Sequence, residues 1–169
     1  PDAIVTARNG KTVEILNTDA EGHLVLGDCL SYASDLEPDM IINAATLTGA
    51  CLVALGAQVC VVLGSDKATK RVLDVAKSSD EYAWRLPIIP EWREEMTSHI
   101  ADLRNIGKGR FAGTATAAAF LENFITDGIE WAHLDVAGVA NDQTHLPYCP
   151  NKGGSGIMVR TIHNILING

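Results

Sequence analysis

The chain has 169 residues, 47% hydrophobic and 20% charged, and its 13 Lys and Arg against 21 Asp and Glu give a formal net charge of −8. This composition suits one globular domain over 1–169 with a real hydrophobic core and excludes a disordered tail. The acidic balance repels phosphate backbones, and neither a basic-then-apolar leader nor a bilayer-length apolar run is seen, so a soluble cytoplasmic protein with no nucleic acid or membrane partner is expected.

Ile4–Ile15 reads as two short β runs around Asn9-Gly10, a dipeptide that tolerates the positive φ of a tight hairpin turn. The hairpin delivers the chain into Asn17-Thr18-Asp19-Ala20-Glu21-Gly22-His23-Leu24. Here Asp19 and Glu21 stand one residue apart at a glycine-containing turn ahead of a helix. Two readings compete. Asp and Glu at a helix start serve capping and the helix dipole, and spacing alone favours this. Alternatively, both carboxylates converge on one point and offer hard oxygen donors to a divalent cation.

A helix is expected from Leu24 to about Ala33, with Leu24, Leu26, Leu30 and Ala33 on its apolar face and Pro38 blocking continuation. Met40–Ala45 and Gln58–Leu63 read as buried strands, and Thr46–Gly49 as a turn into a small-residue segment reaching Leu55. Ser65-Asp66 is placed to cap a helix over 67–77. Tyr82–Glu94, with Trp84, Pro87, Pro90 and Trp92, reads as a packed irregular loop entering a short helix, its tryptophans serving as core or interface anchors.

Asp102–Gly113 carries Gly107, Gly109 and Gly113 beside Lys108 and Arg110 but matches neither a Walker loop nor a dinucleotide fingerprint, so a flexible loop is expected rather than a nucleotide cradle. An alanine-rich helix over 114–124 and a strand over 131–136 follow. His133 and Asp135 share one face of that strand, which leaves both a catalytic pair and a buried position in the sheet open. A glycine-rich loop over 151–156 opens a C-terminal amphipathic helix over 157–166. Cys29, Cys51, Cys60 and Cys149 lack C-x-x-C spacing and read as reduced core thiols, not a zinc cluster. Alternating strands and helices with continuous apolar strands point to an α/β fold with a mixed, largely parallel sheet flanked by helices.

The octapeptide at 17–24 resembles the NTDAEGRL signature of the leucyl aminopeptidase family of dinuclear metallopeptidases, often called cytosol aminopeptidases. Further motifs follow in the family's order: NAATLTGA at 43–50, WRLP at 84–87, ADLRNIG at 101–107, AGTATAAAFL at 112–121, WAHLDVAG at 131–138 and GSGIMVR at 154–160. The resemblance implies an aminopeptidase that releases N-terminal, preferably apolar residues from peptide substrates, works with two divalent metal ions (Mn or Zn), and assembles as a homo-hexamer. It assigns Asp19 and Glu21 as metal ligands, backbone groups of Thr46, Leu47 and Gly49 as substrate contacts, and the stretch from Ala137 to Ala140 as lining for the side-chain pocket.

Two departures stand out. The family's remaining ligands, a lysine and two aspartates, lie in motifs upstream of this signature, so the 169 residues are expected to be the C-terminal part of a catalytic domain and inactive alone. His23 replaces the arginine that is implied in holding a bicarbonate ion for proton transfer. An imidazole is shorter and lacks the permanent charge and planar fork of a guanidinium, so impaired catalysis is expected ahead of His23 acting as general base. A non-catalytic member of the fold, kept for assembly or binding, is the alternative.

Overall fold

The computed structural model describes residues 1–150 and 152–168. Asn151, the first residue of the expected glycine-rich loop, lies outside them. Two compact units form, one from Pro1–Ile41 with Pro87–Trp131 and the other from Ile42–Leu86 with Ala132 onward. Both build on mixed sheets flanked by helices, the α/β class anticipated.

In the first unit β1 (Ile4–Thr6) and β2 (Thr12–Glu14) pair antiparallel, and β6 (Leu103–Arg104) adds to β2 in parallel, with Val13 facing Leu103. The hairpin closes through Ala7 N to Lys11 O (2.8 Å) and Gly10 N to Ala7 O (2.9 Å), and Gly10 alone supplies the positive φ, at 85°. Helix α1 (Glu21–Ser34) buries His23, Gly27, Leu30, Ser31 and Ser34. This differs from the expected face: only Leu30 of the four apolar positions is buried, because α1 turns its small residues inward. A Cβ on Gly27 would lie 3.0–3.1 Å from the Phe124 ring, so glycine permits the close approach to that side chain. Helix α5 (Gly113–Glu122) is buried from Thr114 to Leu121, as an alanine-rich helix that is apolar all round must be. Helix α4 (Pro90–Glu95) starts with proline at its first position, where no N–H is needed.

In the second unit the sheet order is β3 (Met40–Ala45), β7 (Glu130–Asp135), β4 (Cys60–Gly64), β5 (Ala83–Arg85), with β3 and β7 entering the unit at Ile42 and Ala132. Strand β4 pairs antiparallel with β7 and parallel with β5. Cys60, Val61, Val62 and Leu63 are all 0% exposed, which accounts for their continuous apolar run. Helix α2 (Ala50–Leu55) follows β3. Helix α3 (Asp66–Ser78) buries Ala68, Thr69, Val72 and Ala76, and α6 (Val159–Ile167) buries Thr161 and Ile165. Glu81, 5% exposed, accepts hydrogen bonds from Met158 N (2.8 Å), Thr161 N (2.9 Å) and Thr161 Oγ1 (2.7 Å) and so satisfies donors at the start of α6.

Strands β5 and β6 fall in segments expected to be irregular. Trp84 lies on β5 and is 64% exposed. Cys29 is exposed rather than a core thiol, whereas Cys51, Cys60 and Cys149 are buried. Among the described residues no helix is long and apolar enough to cross a membrane.

Candidate functional site

The acidic turn lies in the first unit, where the chain leaves β2. Ile15 still pairs through its main chain, its N–H donating to Ala3 O and its carbonyl accepting from Asp2 N, both at 2.8 Å, and from Leu16 onward the side chain of Asn105 takes over. Asn105 Oδ1 accepts from Leu16 N (2.9 Å) and Asn17 N (3.3 Å), and its Nδ2 donates to Asn17 O (2.6 Å). Asn17, in extended conformation, then accepts a hydrogen bond on its own side chain from Asp19 N at 2.9 Å and caps a single 3-10 turn, Thr18–Ala20, that runs into α1. Asn17 thus caps the 3-10 turn in place of the Asp19 side chain, whereas α1 itself starts after Ala20 with no side-chain cap and carries Glu21 in its first turn.

Asp19 and Glu21 are both exposed. Among the described residues neither carboxylate has a hydrogen-bond or ion-pair partner. Two uncommitted carboxylates on one capped turn fit part of the oxygen shell of a hard or borderline dication. They do not complete it: among the described residues no group of three or more His, Cys, Asp or Glu is placed to hold a metal ion.

His23 sits in the first turn of α1 and is only 9% exposed. Its Nδ1 lies 2.7 Å from the carbonyl oxygen of Asn105, which can only accept, so Nδ1 carries the proton. The ring packs on Phe120 with centroids 5.8 Å apart. The imidazole is thus anchored to the core of its unit, unlike the exposed carboxylates of Asp19 and Glu21.

The residues implied in substrate binding lie in the second unit. Thr46 and Gly49 are exposed, and Leu47, Ala137 and Ala140 are half-buried. Gly49 has φ −71° and a Cβ there would meet nothing within 4 Å, so open space rather than backbone strain adjoins it. One carboxylate, on Asp135, brings the two turns together. Asp135 is 1% exposed and accepts from Leu47 N (3.2 Å), Ala137 N (3.2 Å) and Thr48 Oγ1 (2.7 Å). Ala140 follows on the next turn, its carbonyl accepting from Ser155 N at 2.8 Å. Burial, and then the nearby Asp135 charge, hold the Cys51 thiol above its ordinary pKa, and the same causes push Cys60 further up. His133 is fully buried, with Asn43 Nδ2 donating to its Nδ1 at 2.9 Å, in keeping with a sheet position.

Asn105, Thr48 and Asp135 do the positioning at these turns; the sequence singles out Asp135 alone among them, and only as a companion of His133. Asp135 carries a signal for this, a polar residue between apolar neighbours at the end of a strand, where burial requires hydrogen bonds, whereas Asn105 beside Arg104 and Thr48 in its turn carry none of this kind. In the glycine-rich stretch, the Glu95 carboxylate would lie 3.3 Å from a Cβ on Gly107 and accepts from Lys108 N at 3.4 Å, which places an acidic group where a phosphate cradle needs donors.

Comparison with known proteins bears on the whole chain. The sequence is 50% identical over 170 residues to the probable cytosol aminopeptidase of Bdellovibrio bacteriovorus, matching 98% of this chain and 33% of that protein. It is 48% identical to the Persephonella marina counterpart (99% and 34%) and 46% identical to that of Alkaliphilus metalliredigens (98% and 33%). The chain spans about a third of the length of the curated relatives it matches. Residues 1–163 match the model of the cytosol aminopeptidase family, catalytic domain. With that match over nearly every residue, and with the signature turn folded as a capped, solvent-facing carboxylate pair, the chain belongs to the cytosol aminopeptidase family.

Proposed function

We propose that the whole protein is a metal-dependent aminopeptidase that releases N-terminal, preferably apolar residues from peptides in the cytoplasm, working as a homo-hexamer. The observation that carries this reading is the Asp19/Glu21 pair, exposed and uncommitted on a turn whose backbone is held from beneath. Asp19 and Glu21 hold part of a site for two divalent ions, Mn or Zn. Such a pair of ions, when bound, supplies an activated water and polarises a scissile carbonyl. The chain's own residues bind and orient the peptide: backbone groups of Thr46, Leu47 and Gly49 meet its first residue, and Ala137 and Ala140 line the pocket for that residue's side chain. Two carboxylates do not fix two dications, so the 169 residues alone are expected to bind metal weakly and hydrolyse little. In the whole protein, Asp19→Asn and Glu21→Gln should each lower metal content and peptide cleavage together; unchanged metal content in both would overturn the assignment.

A second reading, a non-catalytic member kept for assembly or binding, is favoured by His23. Its buried ring, tied to a backbone carbonyl, is poorly suited to hold bicarbonate or to act as general base in place of a charged fork. His23→Arg separates the readings: a large gain in rate marks an impaired aminopeptidase, and no cleavage by either form marks a binding role.

A further inference from the structure

We propose that Asn105 is a positioning residue for the Asp19/Glu21 pair: its side chain fixes the backbone from which both carboxylates project, and its carbonyl sets the tautomer of His23. The inference rests on reading that pair as metal ligands.

Asn105 is 0% exposed, and its polar groups are directed at one segment. Its backbone N–H donates to Glu14 O at 3.0 Å, which continues the β2–β6 pairing. Ile15 still exchanges main-chain hydrogen bonds with Ala3 O and Asp2 N on the β1 side, but the β2–β6 pairing ends there. The Asn105 amide continues it instead, accepting from two successive N–H groups and donating to one carbonyl, as an opposing strand residue would. Asn17 O, held by this amide at 2.6 Å, also accepts from Ala20 N at 3.4 Å, so it is shared between the clamp and the 3-10 turn. From Asn17 the support passes to Asp19 N. The His23 contact ties the first turn of α1 to the same residue. One buried side chain thus braces the acidic turn from before Asp19, while its main chain braces the helix just after Glu21.

The residue type follows from the contacts. Aspartate has the same shape but would set a carboxylate oxygen against Asn17 O where Nδ2 now donates, and alanine would leave two N–H groups and a carbonyl without their partner. Partners that orient metal ligands change metal affinity by on the order of 10- to 100-fold when removed.

The test uses the whole protein with Asn105→Asp and Asn105→Ala. Mn2+ binding is followed by electron paramagnetic resonance of the free ion, thermal unfolding is recorded without metal, and kcat and KM are measured at limiting and at saturating Mn2+. The expected result is Mn2+ affinity weakened roughly 10- to 100-fold, a folded protein, an unchanged peptide KM, and kcat restored by saturating Mn2+. Restoration by metal is a response that general damage to the fold would not give. Mn2+ bound by both variants as tightly as by the unsubstituted protein would overturn the proposal and leave the aminopeptidase reading standing. So would loss of the folded state in both, which would put the work of Asn105 in the fold alone, or a kcat that metal does not restore. An unsubstituted protein that binds no Mn2+ would overturn both readings.

Discussion

Replacing Asp135 tests how the Thr46–Gly49 turn is held. Its carboxylate is 1% exposed and accepts three hydrogen bonds, from Leu47 N, Ala137 N and Thr48 Oγ1. In Asp135→Ala these donors lose their acceptor. Leu47, Thr48 and Ala137 are half-buried, so water partly replaces it and each donor loses about 1 kcal/mol rather than the full desolvation penalty, or about 3 kcal/mol together. Removing a buried charge returns some of this, which leaves a net loss of about 2 kcal/mol. Asp135→Asn keeps Oδ1 for the two N–H groups and presents an amide to the Thr48 hydroxyl, which turns to accept; its loss should be under about 1 kcal/mol. Urea unfolding of the whole protein at neutral pH gives both values from the shift in midpoint at constant slope. A local reporter accompanies it. Burial comes first and the Asp135 charge second among the causes that raise the Cys51 pKa, so Asp135→Asn should let that thiol ionise at lower pH while burial still holds it above the ordinary value. An alanine variant as stable as the parent, or an asparagine variant less stable than alanine, would refute the reasoning.

Three further outcomes follow from other contacts. A Cβ on Gly138 would lie 2.7 Å from Gly56 O, so Gly138→Ala should destabilise by about 1–3 kcal/mol in urea, whereas Gly49→Ala, with open space around it, should stay within about 0.5 kcal/mol. Glu81→Ala removes the acceptor for three donors at the start of α6 and should lose about 2–4 kcal/mol, with Glu81→Gln losing less and protease cleavage near Met158 rising in the same order. The Thr12 N–H and hydroxyl donate to Asp102 and hold its pKa below the ordinary carboxylate value. A depressed pKa contributes stability that is present above the unfolded value and lost as pH falls through the folded one. Asp102→Asn should therefore lower the melting temperature somewhat at pH 7, and the difference from the parent should close below about pH 4, where the parent loses the same contribution.

The elements legible in the sequence are those set by local chemistry. Asn9-Gly10 marks the hairpin, Pro38 lies beyond the end of α1, and the apolar runs at 40–45 and 60–63 mark β3 and β4. Strands β5 and β6 were not legible, because strands of three and two residues are defined by partners far away in sequence: Ala83 opposite Cys60, and Leu103 opposite Val13. The buried face of α1 misled for a different reason. Periodicity seeks large apolar residues, but this helix meets Phe124 through Gly27, so small residues face inward and Val25, Tyr32 and Cys29 face out. At the site, the carboxylate pair was legible from its spacing and wording, yet spacing alone favoured capping. The structure assigns the cap of the 3-10 turn to Asn17, two residues before Asp19, a distinction that depends on one side-chain hydrogen bond.

The two candidate turns obey one rule, each within its own unit. A turn that must offer free groups to a ligand cannot use them to hold itself, and a short solvent-facing loop makes few apolar contacts. Its conformation has to be imposed by a side chain that takes no part in binding. Such a residue must be buried to be rigid and polar to grip backbone, so every bond it makes there weighs more than at the surface. Asn105 does this for the Asp19/Glu21 turn, where Leu16 and Asn17 need both an acceptor and a donor and a neutral amide supplies the two. Asp135 does it for the Thr46–Gly49 turn, where all three groups to be held are donors and a carboxylate meets them with acceptors alone. The identity of each buried residue is thus dictated by the hydrogen-bonding needs of the turn it holds. Exchanging amide for acid should do more harm at Asn105, where a donor is lost, than acid for amide at Asp135, where a hydroxyl can reverse its role.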